Sequence, residues 1–480
     1  MEPPLAAIIL AAGLGTRMRS ERAKVLHELA GEPIIARALR AFAANRPQPL
    51  ILVVGHQAGE VEAAAQRAFD SKGLQTALQA SQRGTGDAAR IALAALPESF
   101  LGDVLIGYGD MPRLNPDTLR AFIEDHRRRG AVLSFISVRI AEPANYGRVM
   151  RDQRGAVQAI VEARDATAAE LQINEVNTGI YLGDAGLLRS LVAELRSDNA
   201  QNEFYLTDII AIARRRGLEV NAWIADNAAE FAGINSRQEL AQMETQIREE
   251  TNRRLMDAGV TMIDPATAYI GPEVEIGRDT TIGPNVQIMG RSRIGCGVLI
   301  EGTAWLRDVE IGDGCHLKLG VRAEQCQIGA ECEIGPFANL REGTRLEGHN
   351  RIGNFVETKK ARIGRGTKAS HLSYLGDTVI GCDTNVGCGV ITVNYDGYDK
   401  HVTRIGDRCM VGCDTQLIAP VTVGNDVYVA SGTTILRDVP DGALALSHHP
   451  QGEKPGWTAG WHRRHENHPK AGGRGSDGRE

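Results

Sequence analysis

Cysteine is missing from the first 295 residues, and all eight cysteines lie between Cys296 and Cys413. A disulfide framework for a secreted chain would not be confined in this way, so reduced thiols are expected. No C-x-x-C pair occurs, which argues against a zinc site. No apolar run approaches the roughly 18 residues of a membrane span. The opening MEPPLAAIILAAGLGTRM carries an acid and a glycine loop in place of a basic region and cleavage site. A cytoplasmic protein without membrane insertion is the expectation. Positive charge is not in excess either: Lys+Arg 54 against Asp+Glu 60 gives a net charge of -6, with one short basic stripe near the end. Nucleic acid is therefore not an expected partner. What remains is an ordinary folded composition, 42% hydrophobic and 24% charged over 480 residues, enough for two or three domains.

Residues 1–235 alternate short apolar runs with helix-like segments: AAIILAAG, PIIARALRAFAAN, LILVVGH, EVEAAAQRAFDS, DVLIGYGD. This is the pattern of a parallel α/β sheet, whose ligands sit at the carboxyl ends of the strands. Residues 236–259 read as a connecting helix with a stripe of Leu240, Met243, Ile247, Thr251, Arg254 and Leu255 suited to packing. From 260 to 450 the period becomes six. Ile270, Ile276, Ile282, Ile288, Ile294 and Ile300 are followed by Ile328, Ile334, Leu340, Leu346 and Ile352, then by Ile380 and Val386, then by Ile405, Val411, Leu417, Val423, Val429 and Ile435. A small aliphatic every sixth residue lines a three-sided parallel coil, with the adjacent Gly expected to let the backbone turn. Cys326/Cys332 and Cys382/Cys388 fit the same lattice. Slips of phase between Ile300 and Ile311, between Ile352 and Ile363, and at NYDGYDKHV are expected to be loops leaving the coil. Residues 451–480, rich in Gly, His and Arg, read as a mostly disordered tail in which Trp457 and Trp461 could dock locally.

The first strand runs into Leu10-Ala11-Ala12-Gly13-Leu-Gly15-Thr16-Arg17-Met18, with Lys24 beyond it. Small residues there bring backbone N–H groups to a polyphosphate, and Arg17 and Lys24 compensate its charge. The spacing is neither G-x-G-x-x-G nor G-x-x-x-x-G-K-[ST]. As G-x-G-T-R-M with a downstream lysine, it resembles the signature of sugar nucleotidyltransferases. That resemblance implies UTP as a co-substrate, a base-binding segment at Gln79, Gly84 and Thr85, and Mg²⁺ held by Asp110 of Tyr108-Gly109-Asp110. It also implies sugar contacts at Gly147, Glu162 and Asn177, and Asn235 completing the metal site. A structural reading of Asp110 as a helix cap before Pro112 stands beside this one. One departure is visible: Ala23 stands where the family usually has Pro, which questions the rigidity of the loop carrying Lys24.

A hexapeptide coil joined to such a head narrows the resemblance to the family of bifunctional N-acetylglucosamine-1-phosphate uridylyltransferases/glucosamine-1-phosphate acetyltransferases. The strongest stretches are Ile334 to Arg341, Gly353 to Lys360, His371 to Asp377 and Val393 to Gly397. The resemblance implies an α/β Rossmann-like nucleotidyltransferase domain followed by a left-handed parallel β-helix of hexapeptide repeats, assembled as a homotrimer. It implies acetylation of glucosamine 1-phosphate with acetyl-CoA, then coupling of N-acetylglucosamine 1-phosphate to UTP, a product that feeds peptidoglycan and lipopolysaccharide synthesis. A base must take a proton from the sugar amine as it attacks the thioester, and His is suited to this near neutral pH. His371 is the choice, with Glu357 as orienting partner. Arg341 and Lys359 match the grip on the sugar phosphate, Tyr374 and Asn385 the sugar-binding positions, and Lys400 a lysine lent by a neighbouring subunit. For acetyl-CoA, Asn394 and Tyr395 match, whereas Cys388, Cys413 and Ser431 stand where Ala, Ser and Ala are expected, and His448 where Arg is common. Two other readings are open: a monofunctional nucleotidyltransferase with an oligomerising or regulatory coil, against which His371, Arg341 and Lys359 argue, and a noncatalytic scaffold, against which Lys24 and Asp110 argue.

Overall fold

The computed structural model describes residues 3–69, 73–447 and 451–465. The chain divides into two compact units, one running to Ala258 with Pro265–Val274, the other holding Gly259–Asp264 and the chain from Glu275 onward.

The first unit is a twisted sheet between two layers of helices. Its strands are β1 (Leu5–Leu10), β2 (Leu50–Val54), β3 (Leu74–Leu78), β4 (Asp103–Tyr108), β5 (Leu133–Arg139), β6 (Arg148–Arg151), β7 (Val157–Val161), β8 (Glu175–Asp184) and β9 (Asn221–Ile224). The order across the sheet is β9-β5-β8-β4-β1-β2-β3, with β6 and β7 as a hairpin beside β8. β1 pairs parallel with β2 and β4, and β8 runs antiparallel to both β4 and β5. β1 is fully apolar because helices cover both faces, the mark of a buried parallel strand. On one face Ala89, Leu93, Leu188 and Ile209 pack against Ile8 and Ile106; on the other Leu39, Phe42, Val61 and Phe122 pack against Ile9 and Leu105. The order reverses around β1 and β4, so their carboxyl ends open on a shared crevice.

The connecting segment is a helix, Arg237–Asp257, capped by the Ser236 side chain, which accepts the Glu239 N–H. It lays Met243 and Ile247 against Leu29, Ile34 and Ile234 of the first unit. The buried stripe differs from expectation at one turn: Arg254 is exposed, while Asn252 is buried and gives its amide to the carbonyls of Pro265 and Ala268.

The second unit is a left-handed parallel β-helix of short strands. Thr281 pairs with Leu299, Leu299 with His316, His316 with Glu333 and Glu333 with Arg351, so successive coils take 18, 17, 17 and 18 residues. The period-six aliphatics line its interior, Ile282, Ile300, Leu317, Ile334 and Leu340 among them fully buried. Two expectations need correction. The phase slips after Ile300 and Ile352 are not loops: each coil is one residue short, and the shortening is taken up at corners where Asp308 and Lys360 hold φ of 51° and 46°. NYDGYDKHV alone leaves the coil, stretching the span from Asn385 to its partner Met410 to 25 residues. The glycine after each core aliphatic has a different reason from the one inferred. A Cβ on Gly277 or Gly283 would stand 2.7 or 1.9 Å from the backbone of the next coil, so these glycines permit close stacking. The turn itself falls two residues later, at Asp279, Gly297, Gly314 and Glu331, all with positive φ.

An internal ladder explains the four buried cysteines. Thr280, Val298, Cys315, Cys332, Asn350, Thr367, Thr384, Cys409 and Val427 hold one position in successive coils. Thr280 and Thr367 donate their hydroxyls to the carbonyls of Gly295 and Gly381, and the Cys315 and Cys409 thiols do the same to Gly329 and Gly424. Cys326 takes the equivalent place in a second column, with Ser292 and Thr344. Here cysteine substitutes for threonine as a small residue with one weak donor. All eight thiols are free.

Within 451–465, Trp457–His465 forms a helix on which the Trp457 and Trp461 rings stack at 6.3 Å.

Candidate functional site

The loop after β1 leads into a single turn at Thr16–Met18. Among the described residues, Gly13, Leu14 and Gly15 donate their N–H groups to nothing in the chain. Gly15 sits at φ 59°, and a Cβ there would meet the Lys24 Cβ at 2.7 Å, so only glycine lets the lysine stem cross the loop. The Lys24 Nζ reaches the Asp110 carboxylate at 2.5 Å and the Asn235 Oδ1 at 3.1 Å. Asp110 follows β4, and Asn235 precedes the long helix, its N–H accepted by Glu239 Oε2 at 2.6 Å.

Two cavities meet at this cluster. One, about 470 Å³, is lined by Leu10, Ala11, Ala12, Gly13, Lys24, Gln79, Gly84, Thr85, Tyr108 and Asp110. The other, about 460 Å³, is lined by Arg17, Tyr108, Asp110, Gly147, Glu162, Asn177 and Asn235. The site residues expected in this unit therefore come together, except that Gly109 packs inward, where a Cβ would strike Ile35 at 2.7 Å. Asp110 is no mere helix cap, since the next helix is capped by Asn115. Gln79 is buried with its amide spent on the Gly84 carbonyl and the Asp87 carboxylate, so it shapes the base-side loop, while Gln82 of the same segment lines the cavity. Burial raises the pKa of Glu162, against the opposing pull of the Thr207 hydroxyl, and burial likewise pushes the Tyr108 phenol up. Burial thus shifts both groups toward their neutral forms.

Glu239 and Gln57 were not singled out from sequence. Glu239 lies three residues after the Ser236 cap, a capping-box spacing that is visible in the sequence. Gln57 carries no such signal. Its Oε1 accepts the Ala23 N–H at 2.6 Å, and this bond answers the question of loop rigidity raised by Ala23.

On the coil, the strands Arg351–Lys359 and Lys368–Gly376 lie side by side, with Asn354 opposite His371 and Glu357 opposite Tyr374. The expected Glu357–His371 contact is absent: no hydrogen bond or ion pair links them, and Glu357 Oε1 instead accepts from Arg341 Nη1 at 2.9 Å. Phe355 turns the corner between the two at φ 55°, so residues 354 and 357 belong to different faces. The Ser373 hydroxyl donates to the His371 carbonyl at 2.9 Å and anchors that turn. Glu357 beside it holds the Arg341 guanidinium firmly charged. Lys359 lies 3.6 Å from Glu342, and its ammonium beside Lys400 of the same chain lowers the Lys400 pKa. Two ammonium groups side by side, with Glu342 3.6 Å from the Lys359 ammonium, make a place for an anion.

The excursion Asn394–Val402 holds itself together. Asp396 accepts from the Tyr398 and Asp399 amides and pairs with His401 at 2.7 Å, and the Tyr395 hydroxyl donates to the Gly397 carbonyl. Asn394 donates to Asp377 at 2.5 Å. Asn385 is half-buried, its amide 3.3 Å from Met410 Sδ. Cys388, Cys413 and Ser431 stack at one corner of three coils: the Cys388 carbonyl takes the Asp414 N–H, and the Cys413 carbonyl takes the Gly432 N–H. His448 lies outside the described residues.

Comparison with known proteins agrees with this division. Residues 7–173 match the MobA-like NTP transferase domain, and residues 403–437 match the bacterial transferase hexapeptide (six repeats). The chain is 48% identical to the bifunctional protein GlmU of Pelobacter propionicus over 94% of this chain and 98% of that one. It is 46% identical to the protein of that name from Geotalea uraniireducens over 94% and 98%, and 44% identical to that from Kineococcus radiotolerans over 95% and 92%.

Proposed function

The chain belongs to the family of bifunctional GlmU proteins, and on that premise we propose how its two units share the chemistry. It is a bifunctional transferase. Its coil acetylates glucosamine 1-phosphate with acetyl-CoA, and its first unit transfers UMP from UTP to N-acetylglucosamine 1-phosphate, giving UDP-N-acetylglucosamine and pyrophosphate.

The observation that carries the reading is the Lys24 ammonium bridging Asp110 and Asn235 where the two cavities meet. A carboxylate and an amide oxygen that already share one cation suit Mg²⁺, which takes hard oxygen ligands and usually binds through one or two carboxylates plus substrate phosphates. Asp110 and Asn235 would hold it, and bound there it would screen the gathering phosphate charge. The amides of Gly13, Leu14 and Gly15 cradle the triphosphate, with Gln79, Gly84 and Thr85 shaping the base end. Gly147, Glu162 and Asn177 orient the acceptor sugar so that its phosphate oxygen approaches the α-phosphorus in line. Arg17 from the sugar side and Lys24 from the triphosphate side offset the negative charge as pyrophosphate leaves.

On the coil, Arg341, Lys359 and Lys400 grip the sugar phosphate, and Tyr374 and Asn385 place the sugar. His371 takes the amine proton as nitrogen attacks the thioester carbonyl, and the CoA thiolate departs and is protonated. Among the described residues its imidazole has no carboxylate hydrogen-bonded behind it, since Glu357 serves Arg341. Asn394, Tyr395, Cys388, Cys413, Ser431 and His448 bind acetyl-CoA. A homotrimer is supported by the exposed ridge Leu319, Phe337, Phe355 and Leu372 on consecutive coils, an apolar face suited to further copies of the chain. Eight free thiols fit the cytoplasm, and among the described residues no helix is long and apolar enough to cross a membrane.

The test is mass spectrometry of the purified protein with Mg²⁺, UTP, acetyl-CoA and glucosamine 1-phosphate, repeated without acetyl-CoA. UDP-N-acetylglucosamine is expected only in the complete mixture. Product appearing only when N-acetylglucosamine 1-phosphate is supplied would reduce the protein to a uridylyltransferase with a structural coil.

A further inference from the structure

We propose that Gln57, with His56 beside it, is a positioning residue for Lys24, doing through a hydrogen bond what a proline ring at position 23 would do through a covalent restraint. The proposal rests on the reading of the first unit as the uridylyltransferase. Ala23 is 3% exposed with φ -55° and ψ 138°. A buried backbone N–H needs an acceptor, and this one lies outside its own loop: Gln57 Oε1, 34 residues on, at 2.6 Å. One residue earlier, His56 Nε2 lies 3.2 Å from the Glu21 carbonyl. Consecutive side chains thus hold the loop on both sides of Arg22.

Gln57 is itself fixed. It stands at φ 53° between β2 and the helix Ala58–Ala68, its carbonyl accepting from the Glu60 and Val61 amides at 3.1 and 3.0 Å. Gly55, two residues before, packs so tightly under the phosphate loop that a Cβ there would stand 2.7 Å from the Ala12 carbonyl. The acceptor is therefore anchored two residues from a segment packed directly against the phosphate loop. On the far side of Ala23 the chain turns at once into Lys24, whose stem crosses Gly15 and whose ammonium reaches Asp110 and Asn235. Any freedom at Ala23 is freedom of that ammonium. The observed φ lies in the range a proline ring imposes, so proline fits the conformation, removes the donor and makes the Gln57 acceptor redundant. This redundancy makes the proposal testable by a double-mutant cycle.

Full-length Gln57→Ala, Gln57→Glu, Ala23→Pro and the Ala23→Pro/Gln57→Ala double variant are compared in both reactions. Gln57→Ala should lower the uridylyltransferase kcat about tenfold, through misplacement of a group acting on the phosphates. The KM for UTP should stay within about twofold, and acetyltransferase activity should be unchanged. Gln57→Glu, which keeps an acceptor oxygen, should recover most of the loss. In the Ala23→Pro background, removing Gln57 should change kcat less than about twofold. Trypsin cleavage after exposed Arg19 should quicken in Gln57→Ala, and not in Gln57→Glu or in the double variant. A kcat within twofold of the parent for Gln57→Ala, or an equal loss in both backgrounds, would overturn the proposal. If Ala23→Pro does not fold, Gln57→Ala against Gln57→Glu decides by the same two readouts. A parent protein that makes no UDP-N-acetylglucosamine would sink the underlying reading, while the trypsin comparison would still test the clamp.

Discussion

Replacing Thr384 by valine asks whether the internal ladder supports the coil. The side chains are nearly isosteric, and Thr384 is 1% exposed, so volume and burial are conserved. What changes is hydrogen bonding: the Thr384 hydroxyl donates to the Gly406 carbonyl at 2.8 Å and accepts the buried Cys409 N–H at 3.0 Å. Valine strands both groups without water. At about 1–3 kcal/mol for each of the two unsatisfied buried groups, less about 0.8 kcal/mol returned by the extra methyl, the net loss is about 1–5 kcal/mol. Global unfolding of a two-unit chain is a poor gauge of a local effect, so the assay is native-state hydrogen exchange of the peptide holding Cys409. With about 1.4 kcal/mol per factor of ten, the Cys409 amide should exchange at least about fivefold faster in Thr384→Val. It should stay near parent in Thr384→Ser, and peptides around Ile282 and Ile300 should not change in either variant. Unchanged Cys409 exchange, or equal acceleration in the serine variant, would refute the ladder as a source of stability.

Three further outcomes are expected. His371→Ala should lower acetyltransferase kcat by about 10²–10⁴ while leaving uridylyl transfer to supplied N-acetylglucosamine 1-phosphate intact, and Asp110→Asn should do the reverse; coupled product assays read both. Thiol alkylation of the native protein at pH 8 should mark exposed Cys296 and Cys413 first, and leave Cys326, pushed up to about 12 by burial, and Cys332 until last, which peptide mapping would show. Burial, then neighbouring Arg127, lowers the His126 pKa below its ordinary 6.5, so the unfolded chain binds this proton more tightly than the folded one. Stability should therefore rise with pH between the folded value and 6.5 and be lost as pH falls below 6.5, with a shallower slope in His126→Asn; melting curves at several pH values test the sign.

Much of this architecture was legible because the two units have different periods. The alternation of apolar runs and helices located the crevice at the end of β1, since that pattern buries both faces of a strand. Period six located the coil interior for the same reason of burial. Sequence failed where the answer depends on how adjacent coils stack. A one-residue shortening after Ile300 has the same sequence appearance as an inserted loop, because both shift the phase, and only the pairing of Ile300 with Leu317 tells them apart. Glycine after the aliphatic looked like a turn residue because Gly favours turns, yet at Gly283 the constraint is the backbone one coil away. Glu357 and His371 lie on adjoining coils, but the corner at Phe355 sends Glu357 to Arg341. Gln57 was invisible, since a single long-range side-chain bond leaves no periodic trace.

The 25-residue coil that carries the excursion Asn394–Val402 has a consequence for how such a chain can change. Each rung bonds to the rungs directly above and below, so turns of 17, 18 and 25 residues coexist without disturbing the register of any third rung. An added segment at a corner costs little beyond the entropy of closing its ends, which grows only slowly with length. Chemistry can thus be spliced into one storey of the column while the neighbouring storeys keep their dimensions.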